Sequence, residues 1–221
     1  MKSIFEGKLS SICTCEECGN KRVQTDPFLN VSLPLSDENG HSGNGVTQDD
    51  ILSLEVCLKL FCKPETLMSP VYCRLCKKKT KTKKRMSFSK LPKVMCIHLK
   101  RFDAVNNKKI SDPVKFPRFL DMGSYISHGR GSDSDFVDEN ASNTGHPSIL
   151  YDLFGTVNHI GSLHQGHYKA NVKIQHENHW YHCNDESVYH AGGGNGESAV
   201  LNSCEGAYML FYSRQKLSLN T

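Results

Sequence analysis

Hydrophobic and polar residues alternate along many short stretches of the chain, a period of two that is typical of half-buried β-strands. One stretch differs, because Ile51, Leu54 and Leu58 recur at helical spacing, behind acidic residues that suit the first turn of a helix. The pattern predicts one amphipathic helix at 49–61, with Thr47 as its N-cap. It predicts β-strands over residues 8–13, 21–31, 93–102, 150–157, 168–174, 180–184 and 207–213.

Two long polar stretches separate these predicted elements. Residues 34–48 are rich in Gly, Asn and Asp, which indicates a loop. Residues 123–147 contain few side chains that could join a core, so we expect a mobile insertion there. Many strands with a single clear helix predict an α+β fold dominated by antiparallel sheet.

The composition is that of a globular protein. Of its 221 residues, 38% are hydrophobic and 23% are charged, which argues against wholesale disorder. No run approaches the roughly 20 apolar residues that span a bilayer, and the first residues lack the apolar core of a signal peptide. Membrane insertion and secretion are therefore disfavoured. The net charge of +4 is too small to indicate nucleic-acid binding by itself.

The spacing of the ten cysteines gives the first functional signal. Cys15 and Cys18 form one C-x-x-C pair, and Cys73 and Cys76 form another. Zinc prefers four thiolates in a tetrahedron, and a two-residue spacer places two sulfurs on one tight turn. One pair alone could be a redox motif, and four reduced thiols without metal are the alternative, but two pairs favour one zinc ion. Such an ion would be structural, because four thiolates leave no position open for water.

Strand-like segments flank both cysteine pairs, so we expect a finger-like β-extension that ends in the two knuckles. Seven of the nine residues in 77–85 are basic, which is compatible with a nuclear-import or nucleic-acid patch. A solvated strand leaving the second knuckle is the favoured interpretation, because runs of like charge are usually just solvated. The alternation of lysines with Thr80 and Thr82 suits an exposed β-ribbon.

Candidate catalytic residues lie nearer the C-terminus. His167 directly follows Gly166 at the entrance of a predicted strand, where a sheet could fix its ring for general-base catalysis. An antiparallel return would bring Asn184 or Asp185 beside this imidazole, and a slip of one residue exchanges the two. A histidine beside a carboxamide does not by itself indicate catalysis.

Taken in order, however, the motifs of the chain resemble those of the ubiquitin-specific proteases, cysteine deubiquitinases of the papain-like superfamily. Within that family the resemblance is greatest to the nuclear branch that serves the SAGA co-activator complex and removes ubiquitin from histones. The matching motifs cover nearly the whole chain: IFEGKL at 4–9, the knuckle at Cys15 and Cys18, DPF at 26–28, VSLPL at 31–35, the knuckle at Cys73 and Cys76, LPK at 91–93, HLKRF at 98–102, VNH at 157–159, GHY at 166–168 and AYMLFY at 207–212.

The resemblance implies that 1–221 is the C-terminal part of a catalytic domain, with zinc-bearing fingers at about 8–90 and a palm at about 91–215. It implies that His167 is the general base and that Asn184 orients it, as in Cys-His-Asn triads, with Asp185 as the alternative. Gly166 and Tyr168 would contact the ubiquitin tail. The fingers, with one structural zinc ion held by the four knuckle cysteines, would hold the body of ubiquitin.

One departure from the family is serious. The family's nucleophilic cysteine lies upstream of the fingers in an asparagine-rich box, and that box is absent here. No other cysteine has an Asn-x-x-x-x-Cys context, whether Cys13, Cys57, Cys62, Cys96, Cys183 or Cys204. Without a thiolate nucleophile, covalent catalysis is lost. We therefore expect this chain to be inactive as given.

The favoured interpretation is a fragment of a deubiquitinase that hydrolyses the isopeptide bond after the C-terminal glycine of ubiquitin, with ubiquitylated histone as a candidate substrate. A non-catalytic ubiquitin-binding pseudoenzyme or scaffold is the alternative, and a zinc-ribbon nucleic-acid binder is the third. The implied partners are ubiquitin, ubiquitylated proteins and subunits of the SAGA deubiquitinase module. The implied location is the nucleus, with the cytoplasm as a second site.

Overall fold

The computed structural model describes residues 2–36, 52–103, 107–127, 148–191, 196–204 and 206–215. The β-structure is mostly antiparallel, as the sequence predicts, and the helices are few and short. The described helices are α1 (Lys2–Phe5), α2 (Leu54–Cys62), α3 (Gly196–Leu201) and a 3-10 turn at Gly123–Tyr125. None of them is long and apolar enough to cross a membrane.

The finger is a four-stranded antiparallel sheet with a separate two-stranded hairpin. Its central pair, β1 and β8, runs together from the palm to the knuckles, where Cys15 lies opposite Thr82. The predicted finger-like extension is therefore confirmed. The strands of the sheet, in spatial order, are β2 (Lys21–Phe28), β1 (Gly7–Cys15), β8 (Thr82–Lys90) and β5 (Glu65–Thr66), and the hairpin consists of β6 (Val71–Cys73) and β7 (Lys78–Thr80).

The palm is an eight-stranded sheet in which only the pair β3–β9 is parallel. In spatial order its strands are β17 (Ser187–His190), β16 (His179–Asn184), β15 (Gly166–Ile174), β14 (Leu150–Gly161), β18 (Ala207–Arg214), β9 (Val94–Leu99) and β3 (Val31–Leu33), with β13 (Phe119–Asp121) paired to β14. Two small pairs complete the described strands: β4 (Leu52–Ser53) with β12 (Val114–Lys115), and β10 (Phe102–Asp103) with β11 (Lys108–Lys109).

The core joins α2 to one face of the palm sheet. Leu54 and Leu58 of the helix are fully buried, as are Leu210 and Tyr212 of β18. Burying side chains of this size contributes roughly 1.5–3 kcal/mol each. This packing fixes the strands that carry the candidate site.

A buried arginine, Arg101, joins separate segments of the palm through hydrogen bonds. The Arg101 guanidinium is fully buried and donates hydrogen bonds only to backbone carbonyls among the described residues. Because a guanidinium stays charged in proteins, each of its donors needs an acceptor when buried. The acceptors are Ala207 at 2.5 Å, Asp112 at 2.8 Å, Cys204 at 3.0 Å and Ile110 at 3.1 Å.

The helix prediction was wrong about its start. The helix begins at Leu54, and Ser53 is its N-cap, with its hydroxyl accepting the Val56 N–H at 3.3 Å. Residues Leu52–Ser53 are extended instead, because they pair in parallel with Val114–Lys115. Residues 37–51, including the predicted cap Thr47, lie outside the described part of the chain.

The predicted insertion at 123–147 was also wrong at its start. Residues 123–127 are packed, with Tyr125 buried and donating to the Glu55 carbonyl at 3.3 Å, and with Ile126 bridged to Phe88. Residues 128–147 lie outside the described residues. The predicted strand at 21–31 divides at a bend into β2 and β3, and the strand at 93–102 ends at Leu99.

Candidate active site and metal centre

The finger brings the four knuckle cysteines together at its tip. Cys15 ends β1 and Cys73 ends β6, while Cys18 and Cys76 lie in the turns that follow. All four sulfurs lie within 4.8 Å of one another, with 3.9 Å between Cys15 and Cys76 and 3.6 Å between Cys18 and Cys73. Zinc–sulfur bonds of about 2.3 Å in a tetrahedron require sulfurs roughly 3.8 Å apart. The four residues therefore fit a tetrahedral zinc ion.

The surroundings of the knuckles favour the thiolate at Cys15 and Cys73, whereas contact with the Cys18 thiol raises the pKa of Cys76 to about 12, and the pKa of Cys18 is raised as well. The Thr80 hydroxyl, 3.2 Å from the Cys15 sulfur, lowers the pKa of this thiol to about 6, with help from the Cys18 backbone N–H. The Cys76 backbone N–H similarly lowers the pKa of Cys73. A thiolate is the form that binds metal.

The basic run 77–85 forms the predicted exposed ribbon, because Thr80 and Thr82 are buried while the lysines between and beside them face solvent. Glutamates neutralise part of its charge: Glu17 lies 2.8 Å from Lys78, and Glu16 lies 3.3 Å from Lys83. Both glutamates belong to the first knuckle. The basic run therefore fits an exposed strand that supports the knuckles, with part of its charge neutralised, better than a nucleic-acid surface.

The candidate base lies at the entrance of β15. His167 is paired through Nε2 with the amide oxygen of Asn184, the last residue of β16. An amide oxygen only accepts hydrogen bonds, so Nε2 carries the hydrogen and Nδ1 keeps a lone pair. The imidazole is therefore held in the tautomer that a general base needs.

The register of the sheet explains why Asn184 makes this contact. Asn171 of β15 lies opposite His182 of β16, so Asn184, two residues further along, shares the face that carries His167. Asp185 is in the turn that follows, at φ +51, with its carboxylate 78% exposed and 3.9 Å from His167 Nε2. The geometry thus favours Asn184 over Asp185 as the orienting residue.

Aromatic rings line the sheet beside Gly166. His159 is buried, with its ring centroid 4.8 Å from that of Tyr168 and 5.5 Å from that of Phe102. Tyr208 completes the cluster, 5.7 Å from both Phe102 and Tyr168. Tyr168 is 49% exposed, so it is the member of this aromatic cluster that solvent or a ligand can reach.

Gly166 is required by this cluster. A Cβ atom at this position would lie 2.0 Å from His159 Nε2, so a larger residue cannot fit without displacing the ring. Burial, with Lys109 nearby, lowers the pKa of His159, so its ring is neutral at pH 7. The sequence predicts a role for Gly166 and Tyr168, whereas His159, Phe102 and Tyr208 are recognised only in the structure. The available signal was that all three lie in family motifs, at 98–102, 157–159 and 207–212.

None of the ten cysteines, all of which are in the described residues, is hydrogen-bonded to His167. Cys57 and Cys62 pack in the core, where burial raises the pKa of each thiol to about 12. Such thiols remain protonated and are poor nucleophiles.

An imidazole oriented by a carboxamide is the arrangement of papain-like cysteine proteases, and here an antiparallel palm holds that pair while a four-cysteine finger extends from it. Within this class the chain belongs to the ubiquitin carboxyl-terminal hydrolase family, whose sequence model matches residues 1–212.

Similar proteins include human ubiquitin carboxyl-terminal hydrolase 27, which is 33% identical over 229 residues. That alignment covers 97% of this chain and 51% of the relative. Human ubiquitin carboxyl-terminal hydrolase 22 is 34% identical over 230 residues, covering 97% of this chain and 42% of the relative. The chain thus spans about half or less of the length of these relatives.

Solved structures of SAGA deubiquitinase modules share the fold. A yeast module with an Sgf73 mutant has a chain that is 31% identical with a TM-score of 0.74, over 97% of this chain and 42% of that one. The Ubp8/Sgf11/Sus1/Sgf73 module bound to ubiquitin aldehyde has a chain that is 32% identical with a TM-score of 0.72, again over 97% and 42%. The predicted family and fold are therefore confirmed.

Proposed function

We propose that this chain is the fingers-and-palm portion of a thiol-dependent deubiquitinase. The observation that carries the proposal is the His167–Asn184 pair, held on one face of the palm beside the aromatic cluster of Phe102, His159, Tyr168 and Tyr208. In this proposal the fingers occupy about 8–90 and the palm about 91–215.

The chemistry follows from the free nitrogen of His167. Nδ1 takes the proton of a cysteine thiol contributed from outside this chain, and the thiolate attacks the carbonyl of the ubiquitin C-terminal glycine. The imidazolium then protonates the departing lysine amine, and water hydrolyses the remaining thioester. Asn184 keeps the ring in position but brings no negative charge. The nearby Asp185 carboxylate adds a weak, solvent-screened stabilisation of the imidazolium.

Ubiquitin would be held at two places. The extended tail would run past Gly166 and the exposed edge of Tyr168 toward His167. The globular body would rest on the fingers, whose tip is fixed by one structural zinc ion bound to the four knuckle cysteines. When bound, zinc supplies a rigid cross-link between the two knuckles and no open coordination position for catalysis.

This chain by itself should not cleave, because none of its cysteines is placed against His167. A ubiquitin-binding pseudoenzyme is the second candidate function, and the fold supports it equally well.

We also propose nuclear action within a SAGA-type module, with ubiquitylated histone as substrate. The support is the similarity to hydrolase 22 and to chains of SAGA deubiquitinase modules.

Two measurements test the proposal. Calorimetric titration with monoubiquitin should show saturable binding to the 221-residue chain, weakened by Tyr168→Ala and unchanged by Phe119→Ala. Phe119 is similarly exposed, at 47% against 49% for Tyr168, and lies on β13 beside the start of β14, whose other end pairs with Gly166. A fluorogenic ubiquitin C-terminal reporter should remain uncleaved until a segment that carries the family's cysteine box is supplied. Absence of any ubiquitin binding would refute the proposal, and probe labelling of one of the ten cysteines would show that the nucleophile is in this chain.

A further inference from the structure

A second cluster of charged residues lies at the far end of β15 from the candidate base. Lys173 is six residues beyond His167, roughly 20 Å along the strand at 3.3 Å per residue. Its side chain is only 4% exposed, and its ammonium lies 3.9 Å from both the Asp152 and the Glu197 carboxylates. These distances exceed hydrogen-bonding length, so the two carboxylates do not satisfy the lysine donors.

The same two carboxylates are already bound by another cation. Arg118 Nε lies 3.3 Å from Asp152, and its Nη1 lies 3.0 Å from Glu197, while its guanidinium also covers the Phe119 ring at 4.7 Å. Arg118 thus lies closer to both carboxylates than Lys173 does. The Lys173 ammonium therefore keeps donors that neither carboxylate accepts, and at the surface these donors are open to water or to a further acceptor.

An open cleft of about 410 Å³ gives such an acceptor access. It is lined by Arg118, Asp152, Lys173 and Arg214, together with the amide side chains of Gln175 and Asn178. Three cationic residues thus line this site, against Asp152 in the lining and Glu197, which pairs with Arg118 and Lys173. The cleft therefore combines a net positive charge with several hydrogen-bond donors.

We propose that this cleft binds an oxyanion carried by a protein segment, namely an aspartate or glutamate side chain of an acidic partner. The carboxylate would accept from the Lys173 ammonium and the Arg214 guanidinium, and the amides would contact the adjoining backbone. This site does not depend on the proposed deubiquitinase function, since it shares no residue with the His167 site.

A blocked hexaglutamate peptide tests the cleft directly, with hexaglutamine as the uncharged probe. Titrated into the ¹⁵N-labelled full chain, hexaglutamate should give saturable amide shifts around Gln175 and Asn178, and hexaglutamine should give none. Arg214→Gln should weaken binding about tenfold, as expected for one charged hydrogen bond. Arg214 is exposed, so this variant keeps the fold even if Lys173→Met, which should abolish binding, does not.

Arg22→Gln is the matched control, because it removes one exposed arginine from the finger and changes net charge equally. Equal weakening by Arg22→Gln and Arg214→Gln, or shifts spread over the finger, would mean that the peptide responds only to overall charge and would overturn the proposal. So would the absence of saturable shifts. Inorganic phosphate is titrated in parallel. Saturation of the same amides by phosphate alone would overturn the carboxylate assignment in favour of a phosphorylated segment.

Discussion

The side chains of His167 and Asn184 meet across neighbouring antiparallel strands, with the imidazole Nε2 bound to the amide oxygen. Asp185, the adjacent acid, lies 3.9 Å away and is largely in solvent. This relationship ranks the expected effects of substitutions in the proposed enzyme, assayed after the chain is joined to a segment that carries the family's cysteine box.

His167→Ala should reduce turnover by roughly 10²–10⁴-fold, the loss typical of removing a general base, while ubiquitin binding remains. Asn184→Ala should reduce turnover less than His167→Ala does, because water can replace part of the contact that orients the imidazole. Asn184→Asp should keep turnover near that of the wild type, because a carboxylate accepts the same N–H bond. Steady-state kinetics with a ubiquitin reporter measure all three. Asp185→Asn serves as the control, since Asn also accepts the left-handed backbone at this turn. If Asp185→Asn cripples turnover and Asn184→Ala does not, Asp185 is the orienting residue.

Zinc content is the second prediction. The purified chain should contain one zinc ion, and Cys15→Ser or Cys76→Ser should release it, because three thiolates no longer close the tetrahedron. Metal analysis gives the stoichiometry, and amide exchange should quicken in β6 and β7 while β15 and β16 stay protected. Cys13→Ser is the matched control, since this neighbouring thiol lies outside the four-sulfur cluster. A metal-free chain whose four knuckle thiols all react freely would contradict the zinc assignment.

Gly166→Ala should destabilise the palm by about 1–3 kcal/mol, the usual cost of overpacking, because its Cβ would lie 2.0 Å from His159 Nε2 and 2.9 Å from the Ile160 carbonyl oxygen. Urea unfolding measures the free energy. Gly155→Ala on the preceding strand should be nearly neutral, since its nearest neighbours lie at an ordinary 3.6 Å. Equal stability of the two variants would show that His159 can move aside.

Asp121 should make stability depend on pH. Partial burial tends to raise the pKa of its carboxyl, but hydrogen bonds from Ser148, Gly123 and Ile149 outweigh this and hold the pKa below its ordinary value of 3.8. The carboxylate therefore stabilises the fold at neutral pH, and this contribution is lost as the pH falls through the lowered pKa.

The stability difference between wild type and Asp121→Asn should accordingly be present at pH 7 and should shrink below about pH 4. Denaturant unfolding from pH 7 to pH 3 measures it. Asp26→Asn, which alters an exposed finger carboxylate bound to Gln24, should show no comparable change. A difference for Asp121→Asn that is constant over this range would mean that its hydrogen bonds contribute nothing in the charged form.

The sequence predicted those features that depend on local pattern and chemistry. Most strands with alternating residues, the C-x-x-C pairs and the histidine at a strand entrance were found where expected, although the strands predicted at 21–31 and 93–102 were too long. The start of α2 was missed because its cap depends on a parallel pairing with residues 114–115, more than fifty positions away. Periodicity contains no information about such a partner.

The site was predicted less completely than the fold, for a similar reason. Choosing between Asn184 and Asp185 requires the register of β15 against β16, which one sequence does not specify. The aromatic cluster assembles Phe102, His159, Tyr168 and Tyr208 from separate segments, so only the folded chain reveals that they touch. The Lys173 cleft likewise joins three strands and a helix.

The position of β18 bears on synthesis in the cell. This strand, the most C-terminal of those described, lies between β14 and β9, and its Ala207 carbonyl accepts from Arg101. Until residues 207–214 leave the ribosome, β14 and β9 each present one unpaired edge, and the Arg101 guanidinium lacks one of its four carbonyl acceptors. The palm sheet is therefore completed late in translation. A nascent chain that stalls upstream of residue 207 exposes two strands with unpaired edges, and such edges are recognised by chaperones and proteases.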